Sequence, residues 1–77
     1  MKKTHQLTAI IEREDDMYVA SCPELDVVSQ GSSVEEAKNN LKEALELFLE
    51  SASETEVTER LHNEIFITRI DVAIGQV

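Results

Sequence analysis

Few side chains in this 77-residue chain have the type and spacing that chemistry requires. A metal site takes several ligands at helical or turn spacing, such as histidines three or four apart or cysteines two apart. His5, Cys22 and His62 each stand alone, so no metal ligand set is expected. Cys22 lacks the setting of a nucleophile with its base and reads as a half-buried structural thiol. Carboxylate pairs can do acid-base work or hold magnesium, and they occur at Asp15-Asp16, Glu35-Glu36 and Glu24/Asp26. Each has a local explanation: a turn, a helix start, and the flank of a loop proline. Gly31 and Gly75 are far apart, so no glycine-rich phosphate loop exists. These patterns lead us to expect no catalytic residue, no cofactor and no metal, and hence no enzyme.

Composition narrows the partners. Sixteen acidic against seven basic residues give a net charge of −9, which repels phosphate backbones and anionic membranes and attracts basic proteins. The aromatics are Tyr18, Phe48 and Phe66, and the last two read as core, so no base-stacking platform is expected. Direct nucleic-acid binding is therefore not expected. No uncharged run approaches the roughly 20 residues that cross a bilayer, and Met1-Lys2-Lys3 is not followed by a continuous apolar stretch. With a single cysteine, the expectation is a cytoplasmic protein with no membrane association. Its length suits one domain, residues 1–77, small enough that self-association would help to stabilise it.

The elements follow from pattern. Leu7-Thr8-Ala9-Ile10-Ile11-Glu12 predicts a strand exposed on one face. Glu14-Asp15-Asp16 supplies turn chemistry, and residues 17–21 predict a second strand that completes a hairpin. Pro23 ends it, and Val27-Val28-Ser29-Gln30 predicts a short third strand closed by Gly31. Ser33-Val34-Glu35-Glu36 is a capping box, with the serine accepting from the amide three residues on and Glu36 reaching back. Val34, Ala37, Leu41, Ala44, Leu45, Phe48 and Ala52 then recur at helical spacing, a stripe able to cover a sheet. Leu47 and Leu49 border the stripe and are expected in the core. The opposite face carries Glu35, Lys38, Asn39, Lys42, Glu43, Glu46 and Glu50. Residues 51–59 predict the helix end and a linker or short helical turn near Val57 and Leu61. Residues 65–74 predict a fourth strand with Phe66, Ile70, Val72 and Ile74 on one face. Ten residues at about 3.3 Å each would outrun the other strands, and the unpaired overhang predicts a homo-oligomer. The expected fold class is α+β, in the order β-β-β-α-β, with an antiparallel sheet and one long helix packed on one face.

These residues also resemble a known family. Tyr18-Val19-Ala20-Ser21-Cys22-Pro23-Glu24-Leu25, then Ser29-Gln30-Gly31-Ser32-Ser33-Val34-Glu35-Glu36-Ala37, then Leu41-Lys42-Glu43-Ala44-Leu45-Glu46-Leu47, resemble the HicB-like antitoxin domain over residues 7–49. Tyr18, Pro23, Gly31, Ser33, Glu36 and Ala37 carry the motif. The resemblance implies a three-stranded antiparallel sheet with a helix on it and a further strand, likened to a truncated RNase H fold without its catalysis. It also implies a function, binding and blocking a small basic HicA-type toxin that cleaves messenger RNA. Asp26-Val27-Val28 departs from the Pro-Gly-Cys usual in the family loop. No helix-turn-helix or ribbon-helix-helix module accompanies the domain, so operator binding is not expected.

Three functions follow as alternatives. The first is an antitoxin-like module that docks a basic toxin, with Glu35, Glu43, Glu46 and Glu50 as the candidate partner-binding residues. The second is a self-associating regulatory or small-ligand-binding domain with no toxin partner. The third, a residual metal-dependent nuclease, needs converging carboxylates, and the predicted strands bring only Glu12 and Asp71 near one another.

Overall fold

The structure is a computed structural model that describes residues 6–61 and 64–75. His5 and His62 lie outside the described residues. Strand β1 spans Ile10–Glu14, β2 Met17–Cys22 and β3 Val27–Gly31, followed by helices α1, Val34–Ser51, and α2, Glu54–Arg60. The strands form one antiparallel sheet in the order β1-β2-β3. Ile11 pairs with Ala20 and Glu14 with Met17, while Tyr18 pairs with Gly31 and Cys22 with Val27. The α+β class, the antiparallel sheet and the long helix on it are as the sequence predicts.

Asp15 makes the hairpin possible by taking a φ of 56°, a conformation that Asp tolerates better than most residues. Arg13 Nε donates to the Asp15 carbonyl at 3.0 Å and braces the turn. Residues 7–9 are not part of β1. Thr8 donates its backbone N–H to the Glu24 carboxylate instead of to a strand ladder.

Helix α1 starts at the expected N-cap, Ser33, but Glu36 closes the cap on the residue before it instead of on the N-cap amide itself. Ser33 Oγ accepts from the Glu36 amide at 3.0 Å, and Glu36 reaches back to the Ser32 amide at 3.0 Å. Asn40 Nδ2 donates to the Gln30 carbonyl at 2.8 Å and ties the helix to β3. The approach is close: a Cβ added at Gly31 would lie 2.5 Å from the Ala37 nitrogen and 2.8 Å from the Glu36 carbonyl carbon. The core is Ala20, Cys22, Leu25, Ala37, Leu41 and Leu45, flanked by Leu7, Ile11, Tyr18, Val27, Phe48, Leu49 and Leu61.

Four expectations are corrected. Val34, in the first turn of α1, and Leu47, on its far side, are exposed, because the sheet reaches neither. Phe66 is 88 % exposed and not core. Residues 64–75 form no strand in this chain. A strand needs a partner for its backbone groups, and the three-stranded sheet does not include this segment. In its approach, α2 is capped by Ser53. Arg60 is stacked over the Phe48 ring, 4.6 Å from its centroid, and its Nη2 donates to the Leu25 carbonyl at 2.8 Å. Leu61 packs against the core. The radius of gyration of 15.5 Å exceeds the roughly 11–12 Å of a compact domain this long.

Candidate protein-binding surface

At about 100° per residue, Glu35, Glu43, Glu46 and Glu50 fall on one side of α1, opposite the buried Ala37, Leu41 and Leu45. All four are exposed, and none accepts a side-chain hydrogen bond among the described residues. Lys38 and Lys42 border this face, leaving α1 with five carboxylates against two ammonium groups. The last turn of α1 contains no basic residue. Helix C-termini carry partial negative charge, so Glu46 and Glu50 near that end cost stability instead of adding it.

The family-motif residues have different duties. Tyr18 lies half-buried on β2, Pro23 in the turn after it, and Gly31 where β3 passes under α1. Ser33 and Glu36 form the cap, and Ala37 is fully buried. Gly31, Ser33, Glu36 and Ala37 serve the joint between the sheet and the start of α1, Tyr18 pairs with Gly31 across the sheet, and Pro23 closes β2, so each of them has a role in the fold.

Sequence reasoning missed the role of Glu24, which it placed only at the flank of Pro23. The carboxylate accepts from Thr8 N at 3.0 and 3.1 Å, from Thr8 Oγ1 at 2.7 Å and from Cys22 Sγ at 3.4 Å. Burial pushes its pKa up, but the Thr8 and backbone hydrogen bonds outweigh that and hold it below the ordinary glutamate value. The following Leu25 is fully buried, and its carbonyl is the acceptor for Arg60. This loop joins the segment before β1, the end of β2 and α2. Thr8 and Glu24 are 16 residues apart, so no local pattern announces the contact.

Cys22 is fully buried. Burial is the main reason its thiol pKa is raised, with Glu24 adding to the effect, so the thiol is protonated at neutral pH and a poor nucleophile. No group of three or more His, Cys, Asp or Glu side chains that could hold a metal ion occurs among the described residues. Glu12 lies on β1, whereas Asp71 lies outside the sheet, so strand pairing does not bring them together. No helix among the described residues is long and apolar enough to cross a membrane.

The chain is similar in sequence to UPF0150 proteins. A UPF0150 protein of Helicobacter pylori is 38% identical over 70 residues, covering 90% of this chain and 97% of the relative. Two UPF0150 proteins of Synechocystis are 47% identical over 51 residues and 44% identical over 52. They cover 64% and 65% of this chain and 71% and 66% of their own lengths. No family model and no solved structure matches the chain.

Proposed function

The chain belongs to the UPF0150 family, and we propose that it is a non-catalytic protein-binding module of the cytoplasm that docks a small basic protein on the acidic face of α1. The observation that carries this reading is the row Glu35, Glu43, Glu46 and Glu50, exposed along the helix and extending toward its C-terminal end, where acids are unfavourable. The resemblance to HicB-like antitoxins suggests the partner class: a HicA-type toxin whose basic, RNA-binding face the acidic helix would cover. Blocking by this route requires no chemistry from the antitoxin, only occupation of the surface that would hold the phosphate backbone.

The test is a pull-down with the product of the adjacent reading frame, joined to an RNA-cleavage assay with and without this protein. Stoichiometric binding with loss of cleavage is the expected result. Reversing Glu46 and Glu50 to lysine should slow association by roughly tenfold or more at low salt and flatten its salt dependence. A basic partner that binds the reversed and natural chains equally fast would move docking to another surface.

A further inference from the structure

Segment 64–75 holds the densest group of exposed apolar side chains: Phe66 is 88 %, Ile67 59 %, Ile70 77 %, Val72 72 % and Ile74 89 % exposed. Such a concentration of exposed apolar side chains is the kind of surface at which soluble proteins associate. None belongs to the core, which is closed without them.

The order of these residues carries a second pattern, self-complementarity. Laid antiparallel to a second copy of itself about Ile70, the segment sets Arg69 opposite Asp71 on both sides of the axis. The same register sets Phe66 opposite Ile74, Ile67 opposite Ala73 and Thr68 opposite Val72. Directly opposed residues share a face, and opposite charges and aromatic with β-branched side chains are among the pairs that stabilise a sheet. Slipping the register by two residues one way sets Asp71 against Asp71, and the other way Arg69 against Arg69. Like charges so opposed are destabilising, and a one-residue slip turns every side chain to the wrong face. One register is therefore selected.

Charge favours the same occupant. Residues 65–75 contain one arginine and one aspartate, so they are neutral within a chain of net charge −9. Two like-charged copies meet with least repulsion there, whereas a basic partner is drawn to the acidic helix. We infer that the protein forms a two-fold symmetric dimer in which residues 65–75 of two copies pair antiparallel through Ile70. The arrangement closes on itself, satisfies backbone groups that the single chain leaves unpaired, and gathers Phe66, Ile70, Val72 and Ile74 of both copies on one face. It stands independently of toxin binding.

Charge swapping on the full chain tests it, with mass read by sedimentation equilibrium. Arg69→Asp and Asp71→Arg each place like charges opposite one another at both symmetric sites, and each should weaken dimerisation by roughly tenfold. Both positions are exposed, so the fold is not at risk. The double swap should restore dimerisation to within a few-fold of the natural chain. A mixture of the two single variants should form heterodimers, because one copy then supplies two acids and the other two arginines. In an Ile70→Cys chain the paired residues lie about 4.5–5.5 Å apart at Cα, within disulfide reach, and oxidation should link two copies. A natural chain that stays monomeric at all concentrations overturns the proposal. So does a dimer indifferent to both single reversals, or single variants that mixing does not rescue.

Discussion

At the scale of single residues, Glu24 and Gly31 carry most of the consequences. Glu24 is held ionised by Thr8, with its pKa below the ordinary value of 4.5. A carboxyl whose pKa is lower folded than unfolded contributes stability above the unfolded value, and that contribution is lost as pH falls through the folded value. Resistance of the natural chain to urea should therefore weaken as pH drops below about 4.5, and Glu24→Gln should remove part of that dependence. An unchanged pH profile in the variant would mean that Glu24 is not the group responsible. Truncation to alanine leaves the Thr8 amide and hydroxyl without their acceptor and should cost about 1–3 kcal/mol. Gly31→Ala forces a methyl group against the backbone of Glu36 and Ala37, which cannot swing aside as a flexible side chain could. We expect a loss of about 1–3 kcal/mol, visible as a lower urea midpoint with an unchanged slope.

At the scale of elements, α1 separates stability from binding. Glu50→Lys places a cation at a helix C-terminus that has none and should stabilise the isolated protein by about 0.3–1 kcal/mol, while weakening capture of a basic partner. Opposite signs in thermal unfolding and in binding are the signature; a variant that is both less stable and binds less would point to simple damage. The elements also show what the sequence made legible. The three strands and α1 were readable because their signals are local: turn residues, a capping box, and a stripe at helical period. The Glu24 loop and the Arg60 contact with Phe48 and Leu25 were not, since they join positions distant in sequence. Residues 65–74 were read as a fourth strand from their β-branched content, yet pattern states only a preference and cannot supply a partner. Val34 and Leu47 failed for a related reason: an apolar type is consistent with burial, but the extent of the sheet decides it.

At the scale of the whole molecule, two kinds of association should answer salt in opposite ways. Between about 0.01 and 0.15 M the Debye length shrinks from roughly 30 to 8 Å. Screening weakens the pull between the acidic helix and a basic partner, but it also relieves repulsion between two copies of charge −9. Dimer formation should therefore tighten with salt while partner capture loosens, and sedimentation and binding titrations over that range check the pair of signs. A dimer formed only by folded chains also makes the melting temperature rise with protein concentration, and Arg69→Asp should shift that rise to roughly tenfold higher concentration. Finally, the complete burial of Cys22 turns the one thiol in the chain into an internal clock. A thiol reagent can reach it only when the core opens, so the labelling rate counts openings without any tag or dye. Whatever binds the closed form, a second copy or a basic protein, slows that clock by a factor that reads out its affinity.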